Sequence, residues 1–359
     1  MRPSWVEIDL AAIRFNVAAL AKLIAPAKVC AVVKADGYGH GDVPVAGAAL
    51  DAGASWLAVA LVEEGVRLRE AGIEGPILLL SEPAASDAIE IVRWNLTPTV
   101  YREVFVEALR LAGARRAQIK VDTGMHRVGA APAALPALFE SCRSAGIEVE
   151  AVWTHFAVSE EAMPEAADFT ATQIARFDDA VSKHEVPMTH LANTAGGILF
   201  PDARRDMVRV GIGIYGLHPG PTTRSAVTLK PAMRIVSQVG FVQRLAAGDR
   251  PSYGRRRTLA GDANVVTVPI GYADGLPRGL SDRGEVLIGG RRHPLAGTVT
   301  MDQIVVDVGD MPVQAGDDVV LIGRQGENEI TADDWAGLLG TISYEVVCQI
   351  GPRLPRRYS

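Results

Sequence analysis

Lys34 ends a short apolar run, Val29-Cys-Ala-Val-Val33, and a glycine-rich turn follows it at once, Lys34-Ala-Asp-Gly-Tyr-Gly-His40. A strand-end lysine that turns inward is desolvated, which lowers its amine pKa toward neutrality and makes it a usable nucleophile or base. Gly37 and Gly39 permit positive φ and leave room for a ligand beside the amine. Polar residues end other apolar runs in the same way. Lys120 and Asp122 precede Thr123-Gly-Met-His-Arg127, Thr154 precedes His155, Asn193 precedes Thr194, and Arg209 precedes Gly211-Ile-Gly213-Ile-Tyr-Gly216. One polar strand end is routine, but five of them converging on one mouth would make a site.

The spacing Gly211-x-Gly213-x-x-Gly216 formally matches a dinucleotide fingerprint. Leu217-His-Pro219-Gly220 does not continue it as a helix, however, and no acid follows at the required distance. A phosphate site fits better, with the Gly211 and Ile212 N–H groups and the Thr194 hydroxyl holding one monoester. A phosphate cradle opposite an inward lysine calls for a phosphorylated aldehyde held as a Schiff base, and pyridoxal 5'-phosphate is the candidate. Arg209 refines this expectation. Arginine can only donate, so a pyridine nitrogen facing it stays unprotonated. A carbanion beside such a ring is poorly delocalised, which favours brief removal and return of a proton.

These residues need elements to position them. Leu10, Ile13, Val17, Leu20 and Ile24 recur at helical spacing, so residues 9–24 are expected to form an amphipathic helix with Asp9 at its N-cap. Apolar runs then alternate with alanine- and leucine-rich helical segments. The runs are 29–34, 56–60, 76–80, 96–100, 118–122, 149–153, 188–192 and 207–210. Strand–helix alternation implies right-handed parallel crossovers, and eight units predict a closed (β/α)8 TIM-like barrel, with an open doubly wound sheet as the alternative. The chemistry of such a barrel sits at the carboxyl ends of its strands. Beyond Thr222 the pattern changes to β-rich runs at 234–242, 264–269, 285–288, 303–308 and 318–322, with one helix expected at 332–339. The chain therefore divides into an α/β barrel domain over residues 1–224 and a mostly antiparallel β domain over 225–359.

A length of 359 residues suits two domains, and 48% hydrophobic with 22% charged residues describes a globular protein with a large core. The net charge of -6 and pI near 5.7 offer nothing to nucleic acid or to an anionic membrane. No long apolar run or signal-like segment is present, and three widely spaced cysteines, Cys30, Cys142 and Cys348, suit reduced thiols. The expectation is a cytoplasmic protein.

Taken together, Val33-Lys-Ala-Asp-Gly-Tyr-Gly-His40, Lys120-Val-Asp-Thr-Gly-Met-His-Arg127, Arg209-Val-Gly-Ile212, Tyr253-Gly254, Pro269-Ile-Gly-Tyr-Ala-Asp-Gly275 and Met301-Asp-Gln303 resemble the alanine racemases, fold-type III pyridoxal phosphate enzymes. The resemblance runs from Trp5-Val-Glu-Ile-Asp9 to Ile342-Ser-Tyr-Glu-Val346, nearly the whole chain. It implies that Lys34 carries the cofactor and acts as one acid/base. Tyr253, reaching the site from the partner subunit of a homodimer, would be the second base on the opposite face. It implies further that His155 links this tyrosine to Arg209 at the pyridine nitrogen. Tyr38, Thr194, Gly211, Ile212 and Tyr344 would surround the phosphate, with Asn193 beside the ring. Arg127 and the Met301 N–H would hold the substrate carboxylate, and Tyr272 would line a narrow entrance. Lys120 matches a lysine that is carbamylated in many relatives, and an unmodified Lys120 paired with Asp122 is the alternative. Thr194 stands where many relatives have serine, and Thr300 where a cysteine is often found.

The function implied is interconversion of L- and D-alanine, supplying D-alanine for peptidoglycan, with no metal. Three alternatives share the cofactor: a racemase for serine or a broad range of amino acids, a metal-assisted D-amino-acid lyase, and a decarboxylase. The lyase is disfavoured because no histidine lies two residues before Cys348, and the decarboxylase because it would place an acid where Arg209 stands. A non-catalytic pyridoxal phosphate carrier, from a different class, resembles the barrel alone. The residues after 225 argue against it.

Overall fold

The computed structural model describes residues 2–359, and the chain folds as two compact units. One comprises residues 10–37 and 41–231, the other residues 2–9, 38–40 and 232–359.

The first unit is a ring of eight parallel strands: β2 (Lys28–Val32), β3 (Ala54–Val59), β4 (Ile77–Leu79), β5 (Thr99–Val100), β6 (Arg116–Lys120), β7 (Glu148–Trp153), β8 (Thr189–His190) and β9 (Met207–Val210). They pair as β4-β3-β2-β9 and β5-β6-β7-β8. Main-chain bonds close both seams. Leu79 N–H donates to Thr97 O and Thr97 N–H to Ile77 O at one, while Asp206 N–H donates to Thr189 O and Arg209 N–H to Ala192 O at the other. Val29, Cys30, Ala31 and Val32 are all buried, as are all residues of β9, because helices cover one face and the barrel core the other. The covering helices include α1 (Leu10–Ile24), α2 (Asp42–Asp51), α3 (Val62–Glu70), α4 (Ala88–Arg93), α5 (Glu103–Ala112), α6 (Leu135–Ser144), α7 (Pro164–Val181) and α8 (Thr194–Leu199). On α1 the helical stripe that includes Ile13, Val17, Leu20 and Ile24 faces the core. The closed barrel, and not an open sheet, is the outcome.

In the second unit, β1 (Ser4–Ile8) pairs antiparallel with β10 (Met233–Gln238), Trp5 opposite Val236, and parallel with β18 (Arg356–Tyr358). The sheet continues through β16 (Asp318–Gln325) to β13 (Glu285–Ile288) and β14 (Arg291–Pro294), while β17 (Asn328–Ile330) pairs off β16. A smaller sheet holds β11 (Phe241–Leu245), β12 (Ala263–Val268) and β15 (Ile304–Gly309). Ile304, Val306 and Val308 alternate inward along β15, the period of a half-buried strand. Helix α9 (Ala332–Leu339) matches its expected bounds, because Thr331 and Asp334 form a capping box and Gly340 ends it in the left-handed region.

Three details differ from the sequence reading. The first strand belongs with the β unit, although residues 1–224 were grouped with the barrel, because its apolar edge completes the β10 ladder. The run 234–242 is two strands in different sheets, since the chain turns at Val239-Gly240. A short helix, α10 (Ser343–Cys348), was not anticipated. Residues 38–40 also cluster with the β unit. There Gly39 O accepts from the Arg356 guanidinium, and a Cβ on Gly39 would lie 2.4 Å from Val347 O.

Candidate active site

Lys34, half-buried, lies two residues beyond the end of the barrel strand β2 and opens a turn of unusual hand. Ala35, Asp36 and Gly37 all have φ of 53–58° and ψ of 45–50°, so three successive residues are left-handed. For each non-glycine residue this conformation costs roughly 1–2 kcal/mol and must be imposed by its surroundings. Glu64, buried on α3, imposes it. Its carboxylate accepts from Ala35 N–H at 2.6 Å and from Ala60 and Leu61 N–H at 2.8 and 3.1 Å. Gly37 N–H returns to Val33 O, Gly41 N–H to Asp36 O, and Tyr215 Oη donates to Val32 O. The turn therefore fixes the main chain on which the lysine is carried.

Arg209 lies across the β2–β9 pairing, opposite Cys30, and is buried. Its Nη1 donates to His190 Nδ1 at 2.8 Å and to His190 O at 3.0 Å. Its Nη2 donates to Thr154 O at 2.6 Å and Leu191 O at 3.0 Å, with His155 Nδ1 at 3.3 Å. These acceptors take up all four Nη protons and leave Nε–H for a ligand. Trp153 carries two cations on its ring, Arg209 Cζ at 4.6 Å and Lys120 Nζ at 4.3 Å from the centroid. Burial, the Arg209 and Arg127 charges, and more weakly Lys34 push Lys120 down to about 7, against the opposing influence of Asp122. Burial lowers Arg209 itself to about 10. Burial and the same four cations hold His155 well below the ordinary histidine range, so its ring is neutral. Lys34, Lys120, Arg127 and Arg209 are thus close enough to oppose one another's charge, a constellation that calls for anions.

Lys120 forms no ion pair among the described residues. Asp122, the partner considered for it, instead organises the loop after β6. Its carboxylate accepts from Gly124 and His126 N–H at 3.0 Å each and pairs with His126 Nδ1 at 3.0 Å. This loop leaves Arg127 exposed. Asn193 caps α8 by accepting from Gly196 N–H, and its Oδ1 also receives the Ser159 hydroxyl. Thr194 and Gly211 are brought together, Gly211 N–H donating to Thr194 Oγ1 at 3.0 Å. Ile212 opens a short 3-10 turn, so its N–H has no partner within that turn.

The β unit holds the remaining sequence-derived residues, and it fixes them through main chain. Tyr253 is 75% exposed. Its carbonyl accepts from Thr298 Oγ1 at 2.7 Å, and Ser252 Oγ donates to Thr298 O at 2.8 Å. Tyr272 and Met301 share a ladder in which Tyr272 N–H donates to Thr300 O and Ala273 N–H to Met301 O. Met301 lends only its carbonyl, which leaves its N–H for another acceptor. Tyr38 and Tyr344 meet with ring centroids 6.2 Å apart.

Sequence reasoning did not single out His190, Gln118, Trp153 or Glu64. The first three sit inside strands, where a polar or aromatic residue within an apolar run is the only signal. Glu64 had a stronger one, an acid at the N3 position of a helix that begins where a strand ends.

The family model for the N-terminal domain of alanine racemase matches residues 8–219, and that for its C-terminal domain matches residues 232–358. The alanine racemase of Symbiobacterium thermophilum is 46% identical over 370 residues, covering 100% of this chain and 97% of that one. The crystal structure of alanine racemase from E. faecalis superposes with a TM-score of 0.95 at 35% identity, covering 100% and 98%. A histidine racemase from Leuconostoc mesenteroides superposes with a TM-score of 0.92 at 27% identity, again covering 100% and 98%. Matched over both of its units and along its full length, the chain belongs to the alanine racemase family.

Proposed function

We propose that this chain interconverts L- and D-alanine with pyridoxal 5'-phosphate, using Lys34 and Tyr253 as acid/base groups on opposite faces of the substrate, and so supplies D-alanine for peptidoglycan. The observation that carries the reading is Arg209, whose Nη protons are all taken and whose Nε–H remains for an acceptor that brings a lone pair and no proton. An unprotonated pyridine nitrogen is such an acceptor. The cation cluster of Lys34, Lys120, Arg127 and Arg209 fits the rest, because phosphate, ring oxygen and substrate carboxylate are all anions.

Lys34 would hold the cofactor covalently, and Tyr38, Thr194, Gly211, Ile212 and Tyr344 its phosphate, with Asn193 beside the ring. When bound, the cofactor supplies an electron-withdrawing ring that acidifies the α C–H of an amino acid. Arg127 and the Met301 N–H orient the carboxylate. The Lys34 amine takes or returns the α proton on one face, and the Tyr253 phenol does so on the other. Tyr253 must give up its phenolic proton to act as a base, and neutral His155, beside Arg209, is the group to assist it. Tyr272 narrows the entrance.

Lys120 is read as carbamylated. A pKa of about 7 leaves much of the amine neutral at physiological pH, and that form attacks CO2, forms an N–C bond and releases one proton. The resulting anion would relieve the repulsion around it. Tyr253, at 75% exposed, is read as serving the site of a second copy, which makes the working form a head-to-tail homodimer. A cytoplasmic setting completes the reading, supported by three cysteines that form no disulfide.

The test is chiral product analysis of the purified chain with added cofactor, given L-alanine and L-serine in parallel. D-alanine should form, and the protein should absorb near the visible edge until borohydride treatment fixes the cofactor on a lysine. A chain that takes up the cofactor yet forms no D-alanine refutes the assignment. Equal turnover of serine would shift it to broad specificity.

A further inference from the structure

Inside the barrel a line of hydrogen bonds leads away from Arg209. Nη1 of Arg209 donates to His190 Nδ1 at 2.8 Å, His190 Nε2 lies 2.9 Å from Gln118 Oε1, and Gln118 Nε2 lies 3.0 Å from Glu150 Oε1. The two ends are chemically unambiguous, because a guanidinium only donates and a carboxylate only accepts. The two middle groups are each ambiguous, an imidazole with two tautomers and a carboxamide with two orientations. Only one arrangement satisfies every contact. Nδ1 of His190 presents its lone pair to Arg209, Nε2 carries the proton, and Gln118 turns its oxygen to His190 and its amino group to Glu150.

The surroundings hold that arrangement. Gln118 and His190 are completely buried. The His190 ring stacks on Trp153 with centroids 5.5 Å apart and planes 14° from parallel. Burial and the Arg209 charge keep His190 well below the usual histidine range, so the ring is neutral and has a definite tautomer. Burial raises the Glu150 carboxyl above the usual carboxylate range, while the Gln118 amide and Arg116, whose Nε lies 3.9 Å from the second Glu150 oxygen, favour its ionised form.

We infer that Gln118 and Glu150 are positioning residues for Arg209: Glu150 orients the Gln118 carboxamide, the carboxamide sets the His190 tautomer, and His190 then takes up an Nη1 proton so that Nε–H is the donor left for the cofactor. This rests on the reading that Arg209 meets the pyridine nitrogen. Direction, rather than packing, is what the line transmits. Glu150→Gln keeps an acceptor oxygen and should preserve the order. Glu150→Lys puts a donor at the far end, turns the Gln118 amino group toward His190 and forces the Nδ1–H tautomer, which meets Arg209 donor against donor.

The experiment uses the full-length cofactor-loaded enzyme with 15N-labelled histidine, the His190 signals being assigned by their loss in His190→Gln. The wild type and Glu150→Gln should both show protonated Nε2 and bare Nδ1. Glu150→Lys should show Nδ1–H, together with cofactor affinity weaker by roughly tenfold, the effect of losing one hydrogen bond to a charged group. A wild-type His190 protonated at Nδ1, or at both nitrogens, overturns the inference whether or not the lysine variant folds. So does a folded Glu150→Lys with an unchanged tautomer. The 15N shift of the cofactor ring nitrogen keeps the two readings apart. Should it ignore Arg209→Lys while the tautomers behave as expected, the placement of Arg209 at the ring fails and the ordering of His190 stands.

Discussion

The two units secure their functional residues in opposite ways. In the barrel, Lys120, Arg209, His190 and Gln118 are buried, and side-chain bonds or ring contacts fix their polar ends. In the β unit, Tyr253 is 75%, Met301 52% and Tyr272 43% exposed, and only the main chain is tied down, through Thr298 and Thr300. A charge that must stand at one point is best preorganised in a low dielectric among fixed dipoles. An aromatic side chain left in water on a well-anchored loop is suited to a contact that is completed only when another surface covers it. The barrel therefore looks like a finished receptor for anions, and the β unit like a set of groups awaiting one.

The sharpest challenge to this contrast is Lys34→Ala. If the barrel alone holds the committed base, racemisation should fall in both directions by on the order of 10⁴, the upper range for losing acid/base catalysis. The fold should survive, because Glu64 and the main-chain bonds of the turn do not use the lysine side chain. Undiminished turnover in a folded variant would remove the mechanism.

Tyr253→Phe tests the other half and is expected to be smaller, on the order of 10²-fold. Proton abstraction should slow most in the L-to-D direction if, as proposed, the two bases serve opposite faces. Activity per chain should also fall when the enzyme is diluted to monomer. Equal loss of α-hydrogen exchange from both enantiomers in single turnover, or activity indifferent to dilution, would show that the β unit does not deliver its base as an exposed group must.

The sequence carried the barrel well. Strands such as β2 are compact apolar runs, and helix α1 shows its stripe without interruption. The end of β2 was legible for the same reason, since Lys34 after the apolar run Val29–Val33 stands out. What lay inside the strands was not. His190 and Gln118 are polar residues whose bonds join strands far apart in sequence, and no local pattern distinguishes them from tolerated core polarity. The left-handed turn after Lys34 was half visible. Gly37 and Gly39 announced positive φ, but Ala35 and Asp36 adopt it too, held by Glu64, 29 residues from Ala35, which accepts from Ala35 N–H, and by the main-chain bonds Gly37 N–H to Val33 O and Gly41 N–H to Asp36 O. Strand β1 was unreadable as a β-unit strand because its partner begins more than 200 residues later. The roles of Tyr253, Tyr272 and Met301 came from the family resemblance, as an exposed aromatic carries no periodicity of its own. Substrate identity is the least legible of all, as a histidine racemase with a TM-score of 0.92 demonstrates.

The smallest expected effect concerns stability and asks whether the barrel cations are truly in conflict before any anion arrives. Lys120 titrates near 7 in the folded chain against an ordinary 10.5. Below about pH 7 the amine is protonated both folded and unfolded, and the native state bears the full cost of a charge beside Arg209, Arg127 and Lys34. Between about 7 and 10.5 the folded chain sheds the proton while the unfolded chain keeps it, so native stability rises with pH and the cost fades. Lys120→Met, which keeps the apolar stem on Trp153 and removes the charge, should therefore raise the melting temperature of the cofactor-free, CO2-free chain most near pH 6 and least near pH 10. Bicarbonate changes the comparison, because a carbamylated Lys120 supplies the anion itself. Added at about pH 8, it should stabilise the wild type and leave the variant unaffected. A variant less stable than the wild type throughout that range, with CO2 excluded, would mean that the barrel tolerates its cations without an anion, and the contrast between a receptor awaiting charge and a loop awaiting cover would lose its first term.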